Sequence, residues 1–346
     1  MKEREFENVL VVRTDRIGDV VLTLPMVPAL RSNFPRARIS MLLRPYTAAL
    51  VHGFEGLDDI LTYNDSGEGR SFLAALAELR AKHFDLVVVS HPTLRIAALT
   101  FLAGIPTRVG SGYRWYSFLF NRRVFEHRKT AEKHEAEYNL SLLRTLGIDV
   151  PEVPRIRLPL DADARGKAAA ELERIGVSPT DGFVVLHPGS GGSARDWSPR
   201  KFGELAQGLS KQNVRVIVTG IAAEESLVNE VVASSGGVAV TSIGRLALKE
   251  LGALVASAKL FVSNSTGPLH IAAAVGTPVI AFYPPIRECS PRRWGPLADK
   301  QVVFTADRAK CPRCKGGPCQ GNDCMDQIKV ADVLRAASSL LEGRTN

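Results

Sequence analysis

Long apolar runs are absent from this 346-residue sequence, which limits how it can meet a membrane. The longest weakly polar stretch, IAAAVGTPVIAFYPP, is interrupted by prolines and is too short to span a bilayer. The first residues, MKEREFENVLVV, carry acidic side chains and lack the basic start and long apolar segment of a secretory signal. We therefore expect a cytoplasmic protein, for which peripheral attachment to a membrane surface stays open.

Two common nucleotide-binding signatures are absent as well. No G-x-G-x-x-G follows the first apolar run, which disfavours a dehydrogenase. The glycine-rich stretch at residues 186–205 lacks the G-x-x-x-x-G-K-[ST] spacing of a P-loop. Low-complexity tracts and short repeats are also missing.

The composition is that of a globular protein, with 45% hydrophobic and 23% charged residues. The length exceeds one ordinary core and suits two domains. A formal charge of +8 favours anionic partners, which could be nucleic acid, phosphorylated small molecules or an anionic membrane surface. Charge alone does not choose among these.

Short Val/Ile/Leu-rich runs alternate with helical patterns in both halves of the chain. The predicted strands are VLVV, RISMLL, DDILTY, DLVVVS and TRVGS, and then FVVLHPG, VRVIVTG, AVTSIG, KLFVSN and PVIAFYP. This alternation predicts an α/β protein with two Rossmann-like domains built on parallel sheets. We place the domains at residues 1–160 and 161–346, with a helix at 164–175 opening the second and a C-terminal helix closed by Gly343.

Ligands of parallel α/β sheets bind at the carboxyl ends of the strands, so the loops there are the candidate sites. The first such loop, RTDRIGDVV, follows the first predicted strand and carries Arg13, Asp15, Arg16 and Asp19. Asp19 could cap the following helix, or it could act as a general base. The spacing alone leaves both interpretations open.

The second loop, LHPGSGGSARDWSPRKFGEL, offers backbone N–H groups that could surround phosphate oxygens. Its small residues are Gly189, Ser190, Gly191, Gly192 and Ser193. Arg195 adds a fixed cation with a bidentate donor fork. The alternative is an ordinary connection to a helix capped by Ser198 with Pro199 at its first position.

The third loop lies in LFVSNSTGPLHIAAAVGTPVIAFYPP, where a strand ends at Ser263 and a helix runs from near Pro268 to Gly276. Ser265, Thr266 and the N–H of Gly267 would lie at a helix N-terminus, which favours an anion. His270 falls in the first turn. It could be a packing or capping residue, or a ligand-binding one.

Taken in this order, the three loops resemble those of the ADP-heptose:lipopolysaccharide heptosyltransferases of glycosyltransferase family nine. The resemblance extends to LAGIPTRVG and KHEAEYNLSLLRTLGI in the first half and covers nearly the whole chain. It implies a GT-B fold, with two Rossmann-like domains facing each other across a cleft. It also implies metal-independent, inverting transfer at the cytoplasmic face of the inner membrane of Gram-negative bacteria.

The resemblance assigns roles to individual residues. Asp19 matches the general base, Arg195 the diphosphate-contacting base that is usually Lys, and Glu224 the carboxylate that holds the ribose. The donor site would comprise Gly189, Ser190, Gly191, Arg195, Glu224, Ser265, Thr266, Gly267 and His270. From the charges of the first loop and of residues 108–133 we also expect an acceptor site with Arg13, Arg16, Arg114, Arg122 and Arg123, of which Arg13 and Arg16 could instead hold the donor. Ser265 replaces the family's usual Asp, which leaves the donor sugar and its nucleoside open.

Residues 108–133 interleave basic and aromatic side chains. Such a stretch could hold the carboxylates and phosphates of a core oligosaccharide and rest on lipid headgroups. The same composition could bind single-stranded nucleic acid, and several of the aromatic residues must simply be core.

Four of the five cysteines are close together: Cys311, Cys314, Cys319 and Cys324. In a cytosolic protein this density could mark a structural zinc or iron site, free thiols or disulfides. None of these would carry the transfer chemistry, and Cys289 lies apart.

The resemblance therefore implies a metal-independent glycosyltransferase that uses no catalytic cofactor. It would move a heptose from ADP-heptose to the inner core of lipopolysaccharide, a Kdo/heptose-lipid A acceptor. The partners would be a nucleotide-sugar donor, an anionic glycolipid acceptor and the inner-membrane surface, without nucleic acid. The alternatives are transfer of another nucleotide-linked sugar to a surface glycan or protein, and an anionic-polymer-binding protein.

Overall fold

The computed structural model describes residues 5–64, 71–192, 195–307, 309 and 324–343. The chain divides into two compact units at Pro159 and Leu160. Residues Thr130–Glu132, although they come early in the chain, belong to the second unit. The polypeptide therefore passes between the units at three places.

In its described residues the first unit contains a sheet of six parallel strands. The strands are β1 (Asn8–Arg13), β2 (Arg38–Leu43), β3 (Asp59–Thr62), β4 (Leu86–Val89), β5 (Thr107–Ser111) and β6 (Arg122–Val124). The helices are α1 (Ile17–Val21), α2 (Met26–Asn33), α3 (Pro45–Val51), α4 (Phe72–Ala81), α5 (Leu94–Leu102) and α6 (Glu135–Leu140).

The described part of the second unit has its own sheet of six parallel strands. They are β7 (Phe183–His187), β8 (Arg215–Gly220), β9 (Ala239–Ile243), β10 (Leu260–Asn264), β11 (Val279–Tyr283) and β12 (Gln301–Thr305). The helices are α7 (Ala162–Arg174), α8 (Pro199–Ser210), α9 (Glu225–Ser234), α10 (Leu248–Ala256), α11 (Gly267–Val275), α12 (Pro291–Trp294) and α13 (Val330–Leu341).

Both sheets have the same strand order. The first runs β3-β2-β1-β4-β5-β6, and the second, counted from its own first strand, repeats this order. It is the doubly wound order, in which the direction of winding reverses between the first and fourth strands and ligands bind at that point. The candidate ligand-binding positions are therefore the carboxyl ends of β1 and β4 in the first unit and of β7 and β10 in the second.

Burial on both faces of each sheet explains the continuous apolar runs of the central strands. The four residues of β4, Leu-Val-Val-Val, and the five of β7, Phe-Val-Val-Leu-His, are all buried. On one face of the second sheet Trp197 packs against residues of α8 and α13, and α7, α10 and α11 cover the other face. Parallel sheets need this double cover because both of their faces must be removed from water.

The predicted strands are confirmed, and so are the helices predicted at 164–175, after Ser198, from near Pro268 and near the C-terminus. Two strands were missed. β6 has only three residues, two of them exposed arginines, and β12 is a half-exposed edge strand. Neither shows the buried apolar run that marks a central strand. None of the described helices combines the length and the hydropathy needed to cross a membrane.

Candidate functional site

Asp19 lies in the loop-and-helix segment that follows β1, at the reversal point of the first sheet. It is within α1, which begins at Ile17, so it does not precede the helix as an N-cap residue would. Its carboxylate Oδ1 accepts a hydrogen bond from Nη2 of Arg13. The capping interpretation of Asp19 is therefore wrong, and the carboxylate is held by a cation instead.

Arg13 is the centre of a group of carboxylates. Its side chain is almost fully buried, and its Nε donates to Asp15 over 2.8 Å while Nη1 lies 3.3 Å from Oε1 of Glu135. Nη1 also donates to Oδ1 of Asn139 over 3.1 Å. Arg13 thus binds carboxylates of the chain itself, which differs from the acceptor contact expected from the sequence.

The pKa of Asp19 reflects these neighbours. This pKa is raised to about 6, mainly by burial; Arg13 acts in the opposite direction, and the negative charges of Asp15 and Glu135 add to the rise. Burial also disfavours the charged form of Arg13, but Asp19, Asp15 and Glu135 outweigh this and raise the Arg13 pKa. Asp19 is therefore a carboxylate near neutral pH with a raised affinity for a proton, as a general base requires.

The next loops along this edge add further polar groups. His91 follows β4, and its Nδ1 lies 3.2 Å from Oδ2 of Asp15. Tyr46 of α3 donates its hydroxyl to the backbone oxygen of Asp15 over 2.9 Å. The carboxyl ends of β1, β2 and β4 therefore meet around Asp15 and Asp19.

The other predicted acceptor-binding residues lie further along the sheet. Arg114, Arg122 and Arg123 are exposed, the last two on β6. With β4 and β5 between β1 and β6, and strands about 4.8 Å apart, β6 is about 14 Å from β1. Arg122 and Arg123 therefore lie three strands away from β1, whereas exposed Arg16 lies three positions before Asp19 in the chain. Their contact with an acceptor stays a prediction.

In the second unit Asn264 joins two of the predicted loops. Its Nδ2 donates to the backbone oxygen of Pro188 over 2.6 Å, and its Oδ1 accepts from the N–H of Trp197 over 2.8 Å. The loop after β7, which carries Arg195, is thereby tied to the loop after β10. Fully buried Trp197 is fixed in turn by its indole N–H, which donates to the Ile328 oxygen over 3.0 Å.

Glu224 lies against Gly189. A Cβ at position 189 would come within 2.0 Å of Oε1 of Glu224, so the close approach of this carboxylate requires glycine. The other oxygen, Oε2, accepts the N–H of Ile221 over 3.1 Å. Two of the predicted donor residues are thus brought together, and the sequence motif had not indicated why position 189 must be glycine.

The third predicted loop leads into α11 as expected. Buried Ser265 and Thr266 precede the helix, Gly267 and Pro268 begin it, and Gly276, with a φ of 89°, follows its last residue. Ser198 caps α8 with Pro199 at its first turn, so the predicted start of that helix is confirmed. His270 is buried in the first turn of α11. The role of these residues in donor binding stays a prediction.

His187, the last residue of β7, precedes the Gly189 loop in the chain and is buried. Its Nδ1 lies 2.9 Å from Thr219 Oγ1, and its ring stacks on Phe261. Burial lowers its pKa to about 4, although Glu224 acts in the opposite direction. Its place at the end of an ordinary predicted strand gave no indication of these contacts.

Because of buried His187, the folded chain should lose stability in acid. The pKa of His187 is about 4 in the folded chain and about 6.5 in the unfolded chain, so its contribution to stability is complete above about pH 6.5 and is lost as the pH falls towards 4. Between pH 7 and pH 5 the wild type should therefore lose about 2 kcal/mol more unfolding free energy than His187→Asn. Urea unfolding followed by tryptophan fluorescence measures this difference, and equal losses in the two proteins would contradict it.

The basic and aromatic stretch divides into core and surface. Tyr116 and Phe120 are buried, whereas Trp115, Phe118 and Phe125 are 75%, 68% and 62% exposed. The expectation that some of these aromatic residues are core is confirmed. Trp115, Phe118 and Phe125 are exposed, in the same stretch of the chain as the exposed arginines.

Of the clustered cysteines, Cys311, Cys314 and Cys319 lie outside the described residues. Cys324 is buried in the apolar cluster that contains Trp197. Within residues 5–64, 71–192, 195–307, 309 and 324–343, no group of three or more His, Cys, Asp or Glu side chains is placed to hold a metal ion.

Comparisons with known proteins agree with this arrangement. The family described as glycosyltransferase family 9 (heptosyltransferase) matches residues 73–323, more than half of the chain. Lipopolysaccharide heptosyltransferase 3 of Escherichia coli is 26% identical over 95% of this chain and 97% of its own length. Both solved structures compared next share the fold.

A glycosyl transferase family 9 protein from Veillonella parvula has a TM-score of 0.86 at 21% identity, over 99% of each chain. The Escherichia coli ADP-heptose LPS heptosyltransferase II has a TM-score of 0.80 at 22% identity, over 97% of this chain and 99% of that one. The predicted fold class, two Rossmann-like α/β domains of the GT-B type, is confirmed.

Proposed function

This chain belongs to glycosyltransferase family 9, and on that premise we propose that it moves a heptose from ADP-heptose to the inner core of lipopolysaccharide. The relatives named above support both the sugar and the acceptor class, since they are named for lipopolysaccharide and ADP-heptose. The acceptor would be a Kdo/heptose-lipid A. The first unit would bind this acceptor, and the second would bind the nucleotide sugar.

The observation that carries the proposal is the Arg13-held carboxylate of Asp19 at the reversal point of the first sheet. In the proposed reaction Asp19 accepts the proton of the acceptor hydroxyl as that oxygen attacks the anomeric carbon. The new glycosidic bond forms as the bond to the ADP oxygen breaks, and ADP leaves with the electron pair. Attack from the side opposite to the leaving group inverts the anomeric configuration.

The second unit would bind the leaving group. The amides of the Gly189–Gly191 loop, the guanidinium of Arg195 and the N-terminus of α11 supply positive charge or N–H donors for the diphosphate. Glu224, placed against Gly189, would accept hydrogen bonds from the ribose hydroxyls. The proposal assigns the neutralisation of charge to these groups and includes no catalytic cofactor.

The proposed location is the cytoplasmic side of the inner membrane, where the lipid-linked acceptor is found. Trp115, Phe118 and Phe125 are the exposed aromatic residues that support attachment, with Arg122 and Arg123 nearby in the chain. Aromatic side chains enter the headgroup region, and each arginine near an anionic surface adds about 1 kcal/mol of attraction.

Attachment can be measured with vesicles. Wild-type protein should co-sediment with vesicles that contain phosphatidylglycerol more than with neutral vesicles, and the double variant Trp115→Ser/Phe118→Ser should lose about tenfold or more in affinity. Leu73→Ser replaces an exposed apolar residue of α4 and serves as the control. Equal binding by all three proteins would contradict attachment through Trp115 and Phe118.

The donor is tested by a thermal-shift series with ADP, UDP, GDP, CDP and dTDP, each with and without magnesium. A nucleotide that binds the folded state raises the midpoint by mass action. We expect a shift with ADP that does not depend on magnesium. A shift with UDP or dTDP instead would favour another sugar, which Ser265 permits, and no shift with any of them would contradict the donor site.

A further inference from the structure

Glu135 is a buried carboxylate that the proposed reaction does not use. It begins α6, is 1% exposed, and belongs to the first unit. Its Oε1 accepts a hydrogen bond from Nη1 of Arg128 and lies 3.3 Å from Nη1 of Arg13. A buried ion pair of this kind often stabilises a fold no better than apolar residues of the same volume would. Its presence beside Asp19 therefore points to a role in the site.

Asn139, one turn further along α6, holds the same guanidinium from another side. Its Oδ1 accepts from Nη1 of Arg13 over 3.1 Å, and its Nδ2 donates to the Leu22 oxygen over 3.0 Å and to Thr23 Oγ1 over 3.1 Å. Thr23 Oγ1 in turn donates to the backbone oxygen of Asp19 over 2.8 Å. The two residues of α6 are thus connected to both the carboxylate and the backbone of Asp19.

We propose that Glu135, with Arg128 behind it, is a positioning residue that fixes Arg13 and sets how strongly Arg13 attracts the carboxylate of Asp19. The inference rests on the proposed function, because it takes Asp19 as the base. Because Glu135 also pairs with Arg13, its negative charge offsets part of the positive charge of Arg13. The attraction that Arg13 exerts on Asp19 is therefore weaker. Arg128 limits this effect by neutralising part of the charge on Glu135.

The other charged and titratable groups around Asp19 come from four segments. Arg13 ends β1, Asp15 and Arg16 lie in the following loop, and Tyr46 approaches from α3. His91, which follows β4, lies against Asp15. All of these remain when Glu135 or Arg128 is replaced. A change in the proton affinity of Asp19 in such variants is therefore attributable to the α6 carboxylate and its partner.

The test is the dependence of kcat/KM on pH in Glu135→Gln and Arg128→Gln. Activity of the wild type should fall as the pH drops through about 6, because protonated Asp19 cannot accept a proton. In Glu135→Gln, Arg13 attracts Asp19 more strongly, so the acidic limb of the profile should move to lower pH by about one unit. Because Asp19 is then a weaker base, kcat on the plateau should fall roughly threefold. In Arg128→Gln the charge of Glu135 is no longer offset, so the acidic limb should move to higher pH. KM for the donor should stay unchanged in both.

Glu137→Gln is the matched control. It removes the same charge from the same helix, but Glu137 is exposed and its capping bond to the N–H of His134 can be made by glutamine. Its profile should match the wild type. Profiles of Glu135→Gln and Arg128→Gln that also match would overturn the inference.

Two controls keep the outcome interpretable. If Glu135→Gln does not fold by circular dichroism, Arg128→Gln still decides, because Arg128 is partly exposed and its predicted shift has the opposite sign. If Asp19→Asn is fully active, it is the proposed base that fails. If Asp19→Asn is inactive and neither limb moves, only the role of Glu135 fails.

Discussion

Replacing Asp19 with asparagine should lower kcat by about two to four orders of magnitude, the usual contribution of a general base. Asparagine keeps the size of the side chain and an oxygen that can accept from Arg13, so the fold should persist. Affinity for ADP should be unchanged, because the proposed donor site belongs to the second unit. Initial rates at saturating donor, together with calorimetric titration of ADP, measure the two quantities separately.

Asp15 provides the matched control for this substitution. It lies four positions earlier, has the same side-chain exposure of 15% as Asp19, and also accepts a hydrogen bond from Arg13. Asp15→Asn should lose much less activity than Asp19→Asn. Equal losses would indicate that neutralising any partner of Arg13 disrupts the site, and full turnover by Asp19→Asn would exclude Asp19 as the base.

Replacing Gly189 with alanine should weaken ADP binding by about 10- to 100-fold, the range expected when a hydrogen bond to a charged group is lost. The added Cβ would come within 2.0 Å of Oε1 of Glu224 and 2.3 Å of its Cδ. Gly189 is not among the residues with positive φ, so its backbone accepts alanine. The strain would therefore fall on the Glu224 side chain, which can swing away while the fold is kept.

A double-mutant cycle tests that explanation. Glu224→Ala should weaken ADP binding by a similar factor, and adding Gly189→Ala to it should have little further effect, since the atoms that clash are gone. Gly166→Ala in α7, where a Cβ would meet nothing within 4 Å, is the control for the change itself. Additive losses from Gly189→Ala and Glu224→Ala would contradict the coupling.

Much of the fold could be predicted because its signals are local. A buried parallel strand needs an unbroken apolar run, and β1, β4, β7 and β10 all show one. Proline near the start of α11 and glycine at its end follow from the geometry of a single helix. For the same reason the loops at the reversal points could be identified before their geometry was known.

The contacts within the site were less accessible, because they join residues far apart in the chain. Glu135 lies 122 positions from Arg13, and nothing in the sequence around either residue indicates their pairing. From the sequence Arg13 was expected to bind an anionic substrate group. In the structure it is buried, and its N–H groups face carboxylates of the chain itself. Asn264 and His187 were likewise missed, since an ordinary loop and strand end would show the same residue types.

The most direct measurement of the central claim uses ADP-heptose and a heptose-deficient Kdo-lipid A as substrates. We predict release of ADP, a product heavier by one heptosyl residue in the mass spectrum, and an anomeric configuration by NMR opposite to that of the donor. Asp19→Asn should form this product only slowly. Absence of product with ADP-heptose, combined with transfer from another nucleotide sugar, would contradict the proposed donor, and a retained configuration would contradict direct displacement with Asp19 as the base.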